Sequence, residues 1–289
     1  MNILFLQKRP LFPADLGGKI RTLNVLRYLS GWHDVTYLCN QQAGEEQGVA
    51  QMRELGLTVE TVPWRETARG TFKFYSELAA NVLSPYPYNV NKDYDPFLRR
   101  RAEELLATKP FDLVICDFVQ MARNAIGLDV PAKILFEHNV EAQIFQRHAE
   151  QDEGWLRRKY MSLQWHKMQR FEGEAGRQFD TVVAVSRQDA QTYQQDYGWD
   201  HVRVIDTAVD LDFFEPDPSA EQAAQVVFVG SMDWLPNQDG VCHFVKQVWP
   251  LIRKSYPEAQ FRVVGRNPTP AVLELGRHEG VEITGTVDD

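Results

Sequence analysis

The chain has 289 residues, of which 44% are hydrophobic and 25% charged, and a formal net charge of −9. This composition is typical of soluble globular proteins, and the length suits one large domain or two ordinary ones. The acidic balance argues against a protein built mainly to bind nucleic acid, which usually carries a basic excess.

The cysteines and the amino terminus indicate a reducing compartment. Cys39, Cys116 and Cys242 are far apart and form no CxxC pair. Each has apolar neighbours, so we expect buried free thiols. The apolar run before Lys8 is too short for a signal peptide, and no segment approaches the ~18 apolar residues of a membrane span. We therefore expect a cytoplasmic protein.

Short apolar segments alternate with amphipathic stretches along the chain. The first helix is predicted from about Gly18 to Ser30, with Gly31 ending it. Several strands are continuous Val, Ile, Leu and Phe runs, which favours parallel sheets covered on both faces. The predicted strands are 2–6, 34–38, 58–62, 112–116, 133–137, 181–185, 202–205, 225–229, 260–264 and 281–284.

A composition change marks a domain boundary. The segment 206–224 is acidic, contains prolines and follows neither helix nor strand periodicity. A new series of alternating elements begins at Gln225. We therefore predict an amino-terminal domain over residues 1–206, a linker over 207–224 and a second domain over 225–289.

The longest helical stretch lies between Glu141 and Arg177. Its part 155–174 is rich in Arg and Lys, with Trp and other aromatic residues interleaved. One interpretation is a scaffold helix whose aromatic side chains pack inward. The other is a surface that rests on anionic lipid headgroups or an anionic acceptor, giving peripheral contact with the inner face of a membrane.

Gly17 and Gly18 follow the first strand and stand at the start of a helix. Glycines let backbone N–H groups approach an anion, and the helix dipole favours negative charge there. A plain tight turn would use the same residues. The spacing fits neither a Walker A loop nor GxGxxG.

His138 follows the strand at 133–137, where parallel sheets place their ligands. It could donate a hydrogen bond to a substrate oxygen, or be a structural histidine. Glu137 and Glu141 flank it, so acid–base chemistry is also conceivable. In the second domain, Gly230–Ser231 and Gly265–Arg266 each end a strand before a loop. Arg266 could pair with a phosphate or be an ordinary turn arginine.

No metal site is expected. The Asp-x-Asp triplets at Asp93–Asp95 and Asp210–Asp212 are short enough to arise by chance, and we expect all four carboxylates to be solvated loop acids. The histidines at 138, 148 and 166 do not have the spacing of zinc ligands.

Taken together, these segments resemble glycosyltransferase family 4, and more narrowly the bacterial sugar transferases of exopolysaccharide gene clusters. The match is carried by residues 16–30, 136–143, 179–216 and 226–268 and is faint between about 41 and 108. The resemblance implies a GT-B architecture of two Rossmann-like parallel-sheet domains facing a cleft, the second incomplete here.

The resemblance also implies an activity. It is the retaining transfer of a hexose from a UDP- or GDP-sugar to a lipid-linked or glycan acceptor in exopolysaccharide or envelope biosynthesis, with no metal or other cofactor. Gly17 and Gly18 would border the donor diphosphate, Arg21 would contact the donor, and His138 would lie beside the donor sugar. Gly230, Ser231, Gly265 and Arg266 would line the donor side.

The sequence departs from the family pattern at three places. Thr207–Ala208 replaces the usual Asn-Gly, no basic pair follows Gly230, and the later donor-binding part, with its paired glutamates, does not follow Asp289. We therefore expect little transfer by residues 1–289 alone. The alternatives are a non-catalytic fragment or binding module, and a nucleotide-sugar epimerase or synthase of the same fold.

Overall fold

The structure is a computed structural model that describes residues 1–151, 154–209, 211, 214–215 and 223–287. It divides into two compact units, Met1–Ala208 and Val209–Asp289. Asp210 and Asp212, the second predicted acidic triplet, lie outside the described residues.

The first unit is built on a seven-stranded sheet in which every strand is parallel to its neighbours. Its order is β3-β2-β1-β4-β5-β6-β7. The strands are β1 (Asn2–Gln7), β2 (Asp34–Gln41), β3 (Thr58–Pro63), β4 (Leu113–Asp117), β5 (Ala132–Phe136), β6 (Thr181–Ala184) and β7 (Val202–Val204). The predicted alternation of strands and helices is confirmed.

Helices connect these strands and cover both faces of the sheet, as crossover connections require. They are α1 (Gly17–Ser30), α2 (Glu46–Glu54), α3 (Phe72–Asn81), α4 (Tyr88–Asp93), α5 (Pro96–Thr108), α6 (Ala122–Ala125), α7 (Glu141–Gln151), α8 (Trp155–Gly176) and α9 (Arg187–Tyr197). A single 3₁₀ turn, Val119–Met121, precedes α6.

The core of this unit lies on both sides of the sheet because successive strand residues point to opposite faces. Leu4 and Leu6 of β1 belong to one buried cluster, whereas Ile3 and Phe5 of the same strand belong to the other. Burial on both faces explains why the strand sequences are continuous apolar runs rather than alternating ones.

The helical stretch from Glu141 is two helices, α7 and α8. The prediction that the α8 aromatic side chains pack inward is correct for Phe171, which is buried, and for Trp165, which packs against the core. It is wrong for Trp155, which is exposed at the first turn of α8 with Lys159 over its ring.

Asp93 and Asp95 are buried, so the expectation of solvated acids is wrong for this triplet. Asp95 accepts a hydrogen bond from the Phe97 N–H and caps α5, with Pro96 at the first helical position. The Asp93 carboxylate lies 3.7 Å from the ammonium groups of Lys8 and Lys92. Both acids therefore have structural partners that satisfy them.

The second unit contains a three-stranded parallel sheet of order β10-β9-β8. Its strands are β8 (Gln225–Val229), β9 (Gln260–Val264) and β10 (Val281–Gly285). Its helices are α10 (Leu235–His243), α11 (Trp249–Ser255), which continues from a π-helical segment at Phe244–Val248, and α12 (Pro270–Leu275). This smaller sheet has its own core, centred on Trp249, Phe261 and Val263.

All three cysteines are free thiols, with Cys39 and Cys116 buried and Cys242 partly buried. Within the described ranges, none of the helices is both long enough and apolar enough to cross a bilayer.

Candidate functional site

The order of the large sheet reverses at β1, because the chain runs outward to β2 and β3 on one side and to β4 through β7 on the other. Connections that leave toward opposite faces open a crevice at the carboxyl ends of the strands, where such sheets bind ligands. A cavity of about 430 Å³ lies at this point, lined by residues of the loop after β1, the start of α1, and the loops after β4, β5 and β7.

His138 faces this cavity and is held by a buried carboxylate. Its Nε2 lies 2.7 Å from Oδ1 of Asp117, the last residue of β4. Both side chains are buried, Asp117 completely. The imidazole also stacks on Phe118, with ring centroids 4.0 Å apart and planes 11° apart. These contacts fix the ring's position and orientation.

The second oxygen of Asp117 joins the same site to two more elements. Oδ2 accepts hydrogen bonds from Gln7 Nε2 at 2.7 Å and from Thr22 Oγ1 at 2.8 Å. Gln7 ends β1, and Thr22 lies in the second turn of α1. One carboxylate therefore connects β1, α1, β4 and the loop that carries His138.

The hydrogen bond to Asp117 decides which histidine nitrogen can meet a ligand. A carboxylate only accepts, so Nε2 carries the proton, and Nδ1 is left toward Gly18. In the neutral imidazole Nδ1 accepts a hydrogen bond, for example from a sugar hydroxyl. The predicted donor role requires the imidazolium form.

Phe118 and Gly18 fit each other closely. Phe118 has φ = 69°, a conformation that costs a non-glycine residue about 1–3 kcal/mol. Its N–H is bonded to the Phe136 carbonyl at 2.9 Å, and its ring lies against α1. A Cβ on Gly18 would lie 3.1 Å from the ring carbon Cζ, whereas one on Gly17 would meet nothing within 4 Å.

The amino terminus of α1 faces the cavity. The residue before the helix is Leu16, whose side chain provides no capping hydrogen bond. Gly17 and Gly18 are the first two helical residues and line the cavity. Free N–H groups and the helix dipole at such an end both favour negative charge, and an anion site at Gly17 and Gly18 stays a prediction.

Arg21 lines the cavity, but its guanidinium also forms hydrogen bonds within the protein. Its guanidinium donates to Thr207 Oγ1 at 2.8 Å and to the Ile205 carbonyl, and it lies 5.1 Å from the Phe136 ring centroid. Burial lowers its pKa, an effect that nearby carboxylates oppose. Thr207, one of the departures from the family pattern, thus anchors Arg21 together with the Ile205 carbonyl.

The charge of the cavity is opposite to that of the chain. The described residues that line it include Lys8, Arg9, Lys19 and Arg21, and none of them carries a carboxylate. Behind the lining, Asp93, Glu66 and Asp15 pair with the first three of these cations. The chain as a whole has a net charge of −9. A basic concave surface in an acidic protein favours an anionic ligand.

The glutamates near His138 are buried beneath the site rather than in the cavity. Glu172 of α8 accepts the N–H groups of Glu141 and Ala142 at 2.8 and 3.2 Å, and so caps α7. Its pKa is raised to about 8, mainly by burial. Burial and the neighbouring carboxylates also raise the pKa of Glu137. These residues support the His138 loop and do not face a substrate.

The four candidates of the second unit form one local cluster. Arg266 Nε donates to Ser231 Oγ at 3.1 Å, and Gly230 N–H bonds the Val264 carbonyl at 3.0 Å. Gly265 has φ = 156°, and any Cβ there would overlap the Gly230 carbonyl. The loops after β8 and β9 are therefore in direct backbone contact, which requires glycine.

Asp233 is a member of this second cluster that sequence reasoning missed. Ser231 Oγ donates to its carboxylate at 2.5 Å and Asn267 Nδ2 at 3.1 Å. The bond from Ser231 lowers the pKa of Asp233. A carboxylate beside Arg266 weakens the local positive potential, in line with the missing basic pair after Gly230.

No group of three or more His, Cys, Asp or Glu side chains is arranged to hold a metal ion in the part of the chain that the structure describes. Metal independence stays a prediction.

Comparison with known proteins identifies the family. The family model described as Glycosyltransferase Family 4 matches residues 17–213, and one described as Glycosyl transferases group 1 matches residues 223–289. The chain belongs to glycosyltransferase family 4.

A curated relative is an uncharacterized 44.6 kDa protein in the cps region of Klebsiella pneumoniae, 21% identical over 259 residues. The match covers 88% of this chain and 62% of the relative, so the chain spans less than two thirds of that protein's length.

Solved structures share the fold at low identity. Sucrose-phosphate synthase from Thermosynechococcus elongatus gives a TM-score of 0.59 at 15% identity, covering 100% of this chain and 71% of its own. Anabaena HepE, in complex with UDP and glucose, gives a TM-score of 0.57 at 13% identity, covering 100% of this chain and 70% of its own. TarM gives a TM-score of 0.60 at 8% identity, covering 99% of this chain and 76% of its own. The chain therefore has the predicted GT-B fold.

The fit between Gly18 and Phe118 predicts different effects for two adjacent glycines. Gly18→Ala should lower the free energy of unfolding by about 1–3 kcal/mol, because the added methyl group crowds the Phe118 ring. Gly17→Ala, which meets no neighbour, should leave it unchanged or raise it by up to about 1 kcal/mol through the better helix propensity of alanine. Urea unfolding of both variants measures the difference, and equal losses would contradict the assigned packing.

The raised pKa of Glu172 predicts a pH-dependent stability. Its value rises from 4.5 to about 8 on folding. The contribution of the Glu172 carboxyl group to the free energy of unfolding is therefore fully present below pH 4.5 and is lost as pH rises through about 8. The melting temperature of the wild type should fall relative to that of Glu172→Gln between pH 5 and pH 8. Glu174→Gln, an exposed change on the same helix, is the control and should track the wild type.

Proposed function

We propose that the chain is part of a glycosyltransferase that takes a hexose from a UDP- or GDP-sugar. The observation that carries this is the basic cavity at the carboxyl edge of the large sheet, with an uncapped helix terminus and His138 in its wall. A sugar diphosphate combines the two groups that such a wall suits, an anion and a set of hydroxyls. The role of the second unit's cluster as a further donor contact is part of the same proposal.

Two relatives support the substrate class. The structure of HepE is that of a complex with UDP and glucose. The structure of a TarM mutant from S. aureus is that of a complex with UDP and glycan ligands. The Klebsiella relative lies in a cps region, which supports a role in exopolysaccharide or envelope biosynthesis. The retaining outcome and a lipid-linked or glycan acceptor belong to the proposal through the family resemblance.

In the proposed mechanism the chain's residues position the donor and stabilise the departing diphosphate. Negative charge grows on the diphosphate as its bond to the sugar breaks. The α1 N–H groups and the basic side chains stabilise that charge, because they are already oriented before the reaction. His138, held by Asp117, orients a sugar hydroxyl through Nδ1. The acceptor oxygen forms the new bond to the sugar carbon as the bond from that carbon to the diphosphate breaks, and the acceptor proton passes to the departing diphosphate oxygen.

The acceptor is proposed to bind in the first unit, in a second cavity of about 420 Å³. This cavity adjoins the basic one through a shared wall, since Arg9 lines one cavity and its guanidinium lies 3.7 Å from the ring centroid of Trp64 in the other. Trp64 and Tyr88 offer aromatic surfaces, and Asn91 and Ser84 offer hydrogen-bonding groups. Such a mixture suits the apolar faces and hydroxyls of sugars.

Peripheral contact with a membrane through residues 155–174 is a further part of the proposal. Trp155 and Leu156 are exposed at one end of α8. Further along the helix, Lys167 donates to the Asn81 and Val82 carbonyls and Arg170 to the Pro85 carbonyl. This basic segment would favour the cytoplasmic face of an anionic membrane if the acceptor is lipid-linked.

The epimerase alternative needs a carboxylate against the bound sugar. The described lining of the basic cavity supplies none, and both oxygens of Asp117 are occupied by protein groups. This favours transfer over epimerisation. A pure binding module would share the cavity, so turnover distinguishes it from the enzyme.

Donor binding is the first test, because the cavity that carries the proposal lies within the described residues of the first unit. A panel of UDP- and GDP-sugars, read by thermal shift, should raise the melting temperature for at least one donor. His138→Ala should weaken that binding. In a protein with the full length of its relatives it should lower turnover by about 10²-fold, a loss typical of one well-placed polar group. Unchanged binding and turnover would refute the role of His138.

Metal independence is tested with the same donor. EDTA should leave its binding intact, because the proposal assigns the diphosphate to N–H groups and cationic side chains. Binding that disappears with EDTA and returns with Mn²⁺ would contradict this.

A further inference from the structure

Helix α3 carries large apolar side chains on its exposed side as well as on its inner side, whereas an ordinary surface helix keeps its apolar stripe buried. Asn81 is its only buried residue. Phe72 is 90% exposed and Tyr75 60% exposed. In the turn that continues the helix, Val82 is 46% exposed and Leu83 91%. With the exposed Ala79, these residues have the spacing of one helical face and form an apolar ridge.

The inner face of α3 is fixed by polar contacts. Glu77 accepts hydrogen bonds from Thr67 Oγ1 at 2.8 Å and from Tyr88 Oη at 3.1 Å. Asn81 accepts from Gln164 Nε2 at 2.9 Å, and its own amide donates to the Tyr86 carbonyl. The helix is thus anchored with its apolar ridge outward, and the exposure of the ridge is a property of the folded unit.

Cationic side chains lie beside the ridge. Lys73 follows Phe72 on α3 and is 75% exposed at its side chain. Lys167 of α8 reaches the carbonyls of Asn81 and Val82, directly beside Leu83, and Arg170 reaches Pro85. Two acids lie among these cations: Glu77 is 3.9 Å from Lys73, and Glu174 of α8 is 3.7 Å from Arg170. In a chain with a net charge of −9, the ridge is thus bordered by three cations and two acids, a local excess of positive charge.

We propose that the apolar ridge, Phe72, Tyr75, Ala79, Val82 and Leu83, inserts into the headgroup region of an anionic lipid bilayer. Lys73, Lys167 and Arg170 contact the lipid phosphates at its edge. Apolar side chains flanked by cations are the combination that interfacial helices use, since insertion and charge attraction act together. The inference refines the membrane contact proposed above: α8 supplies cations, and α3 supplies the inserted side chains.

The arrangement also orients the acceptor cavity. Lys73, Glu77 and Asn81 line it from the same helix that carries the ridge. A lipid-linked molecule would then bring its polar part to the cavity from the membrane side. This consequence rests on the proposed function, whereas the lipid contact itself does not depend on catalysis.

Vesicle flotation tests the contact on the whole chain. Wild type should float with vesicles of phosphatidylcholine containing about a third phosphatidylglycerol, and much less with phosphatidylcholine alone. The double variant Phe72→Ser with Leu83→Ser should reduce the bound fraction by about tenfold or more, given the apolar area it removes. Lys73→Gln with Arg170→Gln should reduce it less and remove much of its dependence on salt.

The matched control is Tyr28→Ser with Trp32→Ser. It removes two aromatic side chains of similar exposure, 75% and 81%, at the carboxyl end of α1. It should float as wild type does. Circular dichroism checks that all variants are folded, as expected for exposed positions.

Flotation of the Phe72/Leu83 variant at the wild-type level would overturn the proposal, as would absence of the wild type from both vesicle fractions at low salt. Loss of flotation on Trp155→Ser with Leu156→Ser alone would assign insertion to α8 instead. A concentration-dependent dimer that the Phe72/Leu83 variant abolishes, without lipid binding, would assign the ridge to a second copy of the chain. Donor binding is unaffected in each case, so the failure of this inference is distinct from failure of the proposed function.

Discussion

A single buried carboxylate holds the candidate site together. Asp117 is completely buried and accepts hydrogen bonds from His138, Gln7 and Thr22. Burying a charge is costly unless it is fully hydrogen-bonded, so these contacts depend on one another. They fix the ends of three strands and the first helix relative to each other. The cavity has its shape because the loops that leave these elements start from fixed positions.

The local charge pattern follows from the same geometry. Parallel strands bring their carboxyl ends to one edge of the sheet, so residues far apart in sequence share one cavity. Asp117 and the three glutamates near His138 are buried, whereas Lys8 and Arg21 line the open space. An acidic chain can thereby offer a basic site.

The strand pattern was sufficient to predict the parallel sheets because the strands are unusually clear, whereas the GT-B fold was predicted from the family resemblance. Runs such as 112–116 and 181–185 are buried on both faces, and their apolar periodicity leaves few alternatives. His138 could be predicted as a cavity residue for the same reason, since it follows such a strand. Asp117 carries the same signal at the end of β4 and could have been found by applying the rule to every strand.

Other features depend on tertiary contacts that no local pattern specifies. Asp93 and Asp95 look like loop acids in sequence and are buried because of Lys8, Asn124 and the α5 cap. The Asp-Pro pair at the start of α5 was an available capping signal. The outward apolar face of α3 could not be predicted from its periodicity, which gives the spacing of a stripe but not the side of the helix that packs. Arg21 meets Thr207 across 186 positions of sequence.

The protonation of His138 tests the central claim most directly. Nitrogen NMR of the imidazole, assigned with His138→Gln, reports which ring nitrogen carries the proton and which responds to a ligand. The account predicts a proton on Nε2 in the free protein and a shift of the Nδ1 resonance when a bound nucleotide-sugar is added. A proton on Nδ1, with neither nitrogen responding to any nucleotide-sugar that binds, would contradict it.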